Sequence, residues 1–190
     1  LDHPSGDGPN TYMVSKATKN AGITMALSGL GGDELFAGYN IFTRITGLEK
    51  KKWLNAIPGF AKRTSGALLK KIRPGISSDK LYELLSLDTL NFKMTYPLLR
   101  KVLPDERIAN ILTNELSGNA VSKITDRKYS HLKTHLLSVV TQAEISTYMQ
   151  NVLLRDTDQM SMAHALEVRV PFLDYTLVEY VLSVTDKYKY

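Results

Sequence analysis

The glycine-rich stretch LSGLGGDELFAGY, residues 27–39, contains residue types that could bind a phosphate. A turn of glycines lets backbone N–H groups approach an anion, and the first turn of a helix adds positive potential. Asp33 and Glu34 would repel a bare phosphate, but Mg²⁺ between a carboxylate and phosphate oxygens makes the two compatible. Acids also favour the first turn of a helix without any ligand. The residues alone therefore leave two interpretations open, a Mg²⁺–phosphate site or simple helix capping.

Two common catalytic motifs are excluded. A Walker P-loop needs Lys followed by Ser or Thr after its last glycine, whereas Asp33 and Glu34 follow here. Ser28 and Ser161 have no His at a recognisable spacing, so a Ser-His-Asp hydrolase is not predicted either.

A second stretch, LLRDTDQMSMAHALEVRVPFLD at residues 153–174, concentrates charged and hydrogen-bonding side chains. They are Arg155, Asp156, Asp158, Gln159, His164, Glu167, Arg169 and Asp174. Residues two apart on a helix point in different directions, so we expect at least one of Glu167 and Arg169 to point elsewhere. A helix cannot continue past Val170, because the residue before a proline is driven to an extended conformation. The stretch predicts a functional polar site or, alternatively, a buried polar junction between helix and loop.

The composition of the 190 residues is that of an ordinary globular protein, with 43% hydrophobic and 23% charged residues. This length corresponds to one domain, or to one domain with part of another. The lack of cysteine excludes disulfides, thiolate metal sites and cysteine nucleophiles, and it fits a reducing cytoplasm. No apolar run is long enough to predict a transmembrane helix.

The net charge of +5 is concentrated in residues 50–73, where eight Lys or Arg residues occur without an acid. Such a basic block can attract nucleic acid, so a nucleic-acid-binding module is one interpretation. The other is a solvated helical face. Trp53 and Phe60 lie among aliphatic residues, and we expect them to anchor the core rather than to stack on bases.

The apolar spacing predicts a helix ending at Gly22, a short buried strand over 23–27, the glycine turn, and a helix over 33–45. This is half of an α/β unit with a parallel strand. No second strand is predicted after Gly47. The predicted helices there are 48–57, 58–73, 79–87, 89–103, 104–117, 130–154 and 175–184, with interruptions at Pro58, Pro74, Pro97 and Pro104. We expect a mostly helical α/β chain, in which 1–47 is the C-terminal edge of a nucleotide-binding unit and 48–190 is its helical part.

Two stretches together resemble the synthetase domain of the glutamine-dependent asparagine synthetase family. They are NTYMVSKATKNAGITMALSGLGGDELFAGY, residues 10–39, and the polar stretch 153–174, in the family's order. The resemblance implies an ATP pyrophosphatase-type, Rossmann-like fold. It also implies a carbon–nitrogen ligase that uses ATP and Mg²⁺ to adenylate a carboxylate such as that of aspartate, with release of pyrophosphate. Ammonia then displaces AMP and gives asparagine.

The resemblance also implies roles for individual residues. The nucleotide and acyl-adenylate site is lined by Ser28, Gly29, Gly31 and Gly32. Asp33 is a ligand of Mg²⁺ and pyrophosphate, and the neighbouring Glu34 is structural. The floor of the pocket is supported by Asp158, Glu167, Arg169 and Asp174.

Two positions depart from the family pattern. Leu30 lies where well-studied asparagine synthetases have the Glu of Ser-Gly-Glu-Gly, which is implicated in the reaction of ammonia with the adenylate. Leucine cannot accept a proton, so amidation of another carboxylate, in β-lactam formation or exopolysaccharide modification, is the alternative. Gln159 lies where Arg is common.

The family's pyrophosphate loop, Ser-Gly-Gly-x-Asp-Ser, and the N-terminal Cys of its glutaminase domain are absent from the 190 residues. Because the first residue is Leu1 rather than Met, we expect the chain to lie within a larger protein and to be inactive alone. The resemblance further implies ammonia from a glutaminase domain, a homodimer, a cytoplasmic location, and neither a membrane nor a nucleic acid as partner.

Overall fold

The computed structural model describes residues 5–113, 121–123, 125 and 135–189. It contains two compact units. The α/β unit combines Leu1–Tyr39 with Lys133–Tyr190, and the helical unit is Asn40–Leu132. In the described ranges, no helix is both long enough and apolar enough to cross a membrane. The boundary between the two compact units lies at residue 39, and the chain returns to the α/β unit at residue 133. The division of the synthetase domain at residue 47 stays a prediction.

The helices and strands follow in chain order. They are α1 (Gly8–Asn20), β1 (Met25–Leu27), α2 (Gly32–Leu35), α3 (Asn40–Glu49), α4 (Gly59–Ile72), α5 (Ile76–Ser86), α6 (Phe92–Arg100), α7 (Asp105–Ala109), α8 (Leu136–Glu144), α9 (Leu154–Met162), β2 (Glu167–Arg169) and α10 (Tyr175–Ser183). Short 3₁₀ turns are Lys52–Ala56, Pro171–Leu173 and Asp186–Tyr188, and a π-helix, Ile145–Leu153, joins α8 to α9. The predicted mostly helical α/β class is confirmed.

The α/β unit contains a parallel pair of strands, in which Met25 of β1 lies opposite Glu167 of β2 and Leu27 opposite Arg169. The predicted strand over 23–27 is therefore confirmed, but the expectation of no second strand after Gly47 is wrong. β2 was missed because three residues with the pattern charged–apolar–charged give no period, and its partner lies far away in the sequence. The predicted burial of β1 is also wrong, since its residue Leu27 is 70% exposed.

One layer of helices supports this sheet, because α1 and α9 pack against each other and α9 also contacts β2. The end of α1 agrees with the predicted cap: Gly22 has φ +82°, and its N–H donates to the Lys19 carbonyl at 2.9 Å. The predicted helix over 130–154 was too short, because the helix continues through the π-helix and α9 to Met162. Its residues 130–134 lie outside the described ranges, as do residues 114–117 of the predicted helix 104–117.

In the helical unit, α4 packs against α5, and α3 and α5 pack against α6. The apolar core is formed by Ile41, Phe42, Ile45, Leu90, Tyr96 and Leu98, all of them buried. The predicted interruption at Pro97 is wrong, because Pro97 lies inside α6. A proline removes one backbone donor, and α6 gains an N-terminal cap from the Asn91 side chain, which accepts from the Met94 N–H at 3.1 Å.

The basic block, residues 50–73, does not carry the aromatic anchors that were expected in the core. Trp53 is 65% exposed and Phe60 is 73% exposed, so that prediction is wrong. Phe60 lies on α4, which is buried only at Lys62 and Gly66, and Trp53 lies in the turn Lys52–Ala56, which has no buried residue. Lys62 is 5% exposed, and its ammonium donates to the carbonyls of Leu87, at 3.0 Å, and Asp88, at 3.4 Å.

Other cations of the block also have partners within the helical unit. Arg63 faces Asp88 at 3.6 Å, and Lys70 lies 3.4 Å from Asp79. Lys52 pairs with Glu49. These contacts reduce the charge available to a polyanion, so they weaken the nucleic-acid interpretation.

Candidate active site

The glycine turn begins where β1 ends and is held to β2 by a backbone bond. The Ser28 N–H donates to the Arg169 carbonyl at 2.8 Å. Within the turn, the Leu30 N–H donates to Ser28 Oγ at 3.3 Å and the Gly32 N–H to the Gly29 carbonyl at 3.2 Å. The turn therefore lies at the carboxyl end of the parallel pair, where ligands bind in open α/β sheets.

Gly31 brings the two polar stretches into contact. Its φ is +97°, a conformation that favours glycine. A Cβ on Gly31 would lie 2.7 Å from Leu173 Cδ2 and 3.1 Å from Phe172 Cβ, and one on Gly32 would lie 3.8 Å from the Phe172 ring. The glycines thus let the turn pack directly on the Pro-Phe-Leu segment that follows β2.

The two acids of the turn point in opposite directions. Glu34 is 1% exposed, whereas Asp33 is exposed. The Tyr39 hydroxyl hydrogen-bonds to the Glu34 side chain, and burial, reinforced by that carboxylate, raises the pKa of Tyr39. Thr141 Oγ1 of α8 donates to the Glu34 carbonyl at 2.9 Å. These bonds hold Glu34 inside the protein, so of the two acids Asp33 is the one available to a ligand.

The predicted helix over 33–45 begins as expected, with Asp33 and Glu34 in its first turn, but it is not continuous, because α2 ends at Leu35 and α3 begins at Asn40. Ala37 has φ +57°, and the Gly38 N–H donates back to the Asp33 carbonyl at 2.9 Å. This is the bond of a Schellman cap, which terminates a helix and reverses the chain. No local pattern predicted this break, because alanine is an uncommon residue in the left-handed region.

Asp33 fits a Mg²⁺ ion that is shared with phosphate oxygens. Within the described residues, no group of three or more His, Cys, Asp and Glu side chains could hold a metal alone. Mg²⁺ keeps several waters and commonly binds one or two carboxylates together with substrate phosphates. A single exposed carboxylate beside a glycine turn agrees with that donor set.

Asp158 and Glu167 line one cavity, of about 290 Å³, between α9 and β2. Arg169 pairs with Glu167, with 2.8 Å between Nε and Oε1, and both side chains are largely exposed. The expectation that these two point apart is wrong, because they lie on a strand, where residues two apart share a face. The structure thus brings three of the four pocket-support residues together.

The fourth, Asp174, caps the N-terminus of α10. Its carboxylate accepts from the N–H groups of Thr176, at 2.9 Å, and Leu177, at 3.4 Å. The Thr176 hydroxyl, followed by these backbone bonds, lowers the pKa of Asp174 below its ordinary value. Asp174 therefore orients the segment whose Leu173 touches Gly31.

Sequence reasoning missed the supports of the turn. Thr141 lies 107 residues from its partner Glu34, so no local spacing could have indicated that bond. Tyr39 and Gly38 were inside the motif but had been assigned to a continuing helix. Asp156, 1% exposed and bonded to the Ser5 hydroxyl, was noted only as a member of the second polar stretch.

Comparison with known proteins identifies the group to which these features belong. The family model described as asparagine synthase matches residues 5–190. The chain belongs to the asparagine synthase family. The resemblance found in the sequence is confirmed, and with it the ATP pyrophosphatase fold class of a carbon–nitrogen ligase family that uses ATP.

Relatives of the chain include asparagine synthetase [glutamine-hydrolyzing] 1 of Bacillus subtilis, 28% identical over 179 residues, which are 94% of this chain and 27% of that protein. A putative asparagine synthetase [glutamine-hydrolyzing] of Mycobacterium tuberculosis is 25% identical over 92% of this chain and 26% of its own length. The amidase chry2 of Gibberella zeae is 24% identical over 98% of this chain and 29% of its own length. The chain thus spans 26–29% of these three proteins. No solved structure matches it significantly.

Proposed function

We propose that the chain forms one wall of the active site of an asparagine synthetase-type ligase, which converts aspartate to asparagine with ATP. The observation that carries the proposal is the contact between Gly31 and the Phe172–Leu173 pair. Both motif stretches leave the carboxyl ends of neighbouring parallel strands and meet there. A site assembled from two stretches at that edge is suited to a nucleotide.

The residues have distinct tasks in this proposal. Ser28, Gly29, Gly31 and Gly32 present backbone to ATP and then to the acyl-adenylate. The substrate carboxylate oxygen attacks the α-phosphorus of ATP, the bond to pyrophosphate breaks, and ammonia then attacks the acyl carbon as AMP leaves. Asp33 would hold Mg²⁺, which neutralises the charge that develops on pyrophosphate. Supporting positions are Asp158, Glu167, Arg169 and Asp174.

The proposal extends to partners that the family implies. Ammonia would come from a glutaminase domain, and the complete protein would work as a homodimer in the cytoplasm. The adenylate site would be completed by the pyrophosphate loop, which these 190 residues do not contain.

The decisive test is Asp33→Asn in the complete protein, measured by ATP–pyrophosphate exchange in the presence of aspartate and Mg²⁺. Loss of the charge should reduce exchange by about a hundredfold or more, because the variant can no longer stabilise the leaving pyrophosphate through the ion. Glu179→Gln is the matched control, since Glu179 is an exposed acid on α10 of the same unit. Exchange at the parent rate in Asp33→Asn would contradict the metal role.

A second candidate is the same chemistry on a different carboxylate. Leu30 replaces the expected Glu, and one relative is named an amidase rather than an asparagine synthetase. Exchange stimulated by a β-amino acid precursor of a β-lactam, or by a uronic-acid oligosaccharide, but not by aspartate would favour this candidate. Stimulation by aspartate alone would favour asparagine as product.

A further inference from the structure

The carboxylate of Asp33 occupies the space that a side chain at Gly38 would need. A Cβ built on Gly38 would overlap Asp33 Oδ1 and would lie 2.9 Å from Asp33 Cγ and 3.1 Å from Asp33 Cα. Gly38 is not among the described residues with positive φ, so the sign of its φ does not require glycine. What glycine supplies at this position is therefore room for the Asp33 carboxylate and for the backbone that carries it.

The backbone keeps Gly38 from moving out of the way. Its N–H donates to the Asp33 carbonyl at 2.9 Å, which closes the loop from residue 33 to residue 38. Ala37, 8% exposed, is fixed inside the loop, and Glu34 is tied to Thr141 and to the Tyr39 hydroxyl. With both ends anchored, the Asp33 side chain is the part that can rotate.

We propose that Gly38 is a positioning residue for Asp33: the missing side chain lets the carboxylate keep the orientation in which it receives Mg²⁺ and pyrophosphate. The inference rests on the proposed metal role of Asp33. Gly38 itself is assigned no contact with substrate. An alanine at 38 forces the carboxylate to a different rotamer, because the anchored loop limits how far the backbone at Asp33 Cα, 3.1 Å from the new Cβ, can move away.

The test is Gly38→Ala in the complete protein, with Mg²⁺ and inorganic pyrophosphate as the probe and calorimetric titration as the readout. We expect the affinity for Mg²⁺–pyrophosphate to fall by about 10- to 100-fold, the range seen when residues that orient a metal ligand are changed. Gly47→Ala is the matched control, because among the described residues nothing lies within 4 Å of the Cβ position at Gly47. It should bind the probe as the parent does.

Further variants separate the failure of this inference from the failure of the proposed function. If Asp33→Asn binds the probe as tightly as the parent, the metal role itself is wrong. If Asp33→Asn loses binding but Gly38→Ala does not, the positioning role is wrong. In the double variant, we expect no loss beyond that of Asp33→Asn alone, because both changes act through one carboxylate. Losses that simply add would overturn the inference.

A stability cycle keeps the inference testable if Gly38→Ala lowers the amount of folded protein. The midpoint of urea unfolding should fall less when Gly38→Ala is introduced into Asp33→Ala, which has no carboxylate to displace, than when it is introduced into the parent. An equal fall in both backgrounds would show that the added methyl group acts on something other than the Asp33 carboxylate, and would overturn the inference.

Discussion

At the scale of the residue, glycine is required at different positions of the turn for different physical reasons. Gly31 needs both its left-handed backbone and its lack of a side chain, and Gly38 needs only the space. At Gly29, no described residue lies within 4 Å of the Cβ position. Packing therefore explains Gly31 and Gly38 but not Gly29, and the proposed approach of ATP to the backbone is what would account for it.

Two phenylalanines of the helical unit give a prediction about burial. Phe42 is fully buried, whereas Phe60 is 73% exposed. Phe42→Ala should lower the free energy of unfolding by about 3–5 kcal/mol, because it leaves a cavity in the core. Phe60→Ala should change it by less than about 0.5 kcal/mol. Urea unfolding of the two variants checks this, and equal losses would mean that Phe60 packs in the core as its sequence context predicted.

At the scale of the element, an ion-pair group ties three helices of the helical unit together. Asp79 of α5 is 6% exposed, accepts from Arg107 Nε of α7 at 2.7 Å, and lies 3.4 Å from Lys70 Nζ of α4. The hydrogen bond from Arg107, with the charge of Lys70, holds the pKa of Asp79 below its ordinary value. Two of these helices, α4 and α5, approach closely at Gly66, where a Cβ would lie 3.1 Å from the Tyr82 ring.

This group predicts a pH dependence of stability. A carboxyl whose pKa is lowered by folding stabilises the folded state above its unfolded pKa, and that contribution is lost as the pH falls through the folded pKa. Asp79→Asn should therefore reduce the free energy of unfolding at about pH 7, and the difference from the parent should shrink by about pH 3. Urea unfolding at both pH values is the measurement.

Asp88→Asn is the control for this prediction, because the Asp88 side chain is 92% exposed and its partner Arg63 is 3.6 Å away. Exposed pairs of this kind contribute little, so the variant should match the parent at both pH values. A difference for Asp79→Asn that stays constant with pH would show that the carboxylate charge is not what stabilises these helices.

At the scale of the whole molecule, the helical unit is inserted between two segments that form the α/β unit. Because α3, α4, α5 and α6 pack among themselves, we expect residues 40–132 expressed alone to be helical and to unfold cooperatively in urea. Circular dichroism checks the helices, and Phe42→Ala should lower the midpoint of the isolated unit. Absence of a cooperative transition would contradict an independent core.

Local spacing predicted much of the chain correctly and failed where contacts are distant. The strand before the glycine turn, the cap at Gly22 and most helices of the helical unit follow from apolar periodicity and breaker residues. Pro97 and the break at residues 36–39 did not follow, because a proline can be tolerated inside a short helix and Ala37 adopts a rare conformation. Neither outcome has a local sequence signal.

The family and the α/β class were predicted from two specific motifs in continuous stretches of the sequence, and both are confirmed. The same motifs named the residues of the candidate site, whose roles stay predictions. How the two stretches meet depends on tertiary contacts that the sequence pattern did not predict. The tertiary structure paired β1 with β2, placed Gly31 against Leu173, and turned Glu34 inward while leaving Asp33 outside. Adjacent acids look alike in a sequence, whereas successive helical positions face different ways. The Glu34 side chain is buried and hydrogen-bonded to the Tyr39 hydroxyl, so this acid is covered while Asp33 stays exposed.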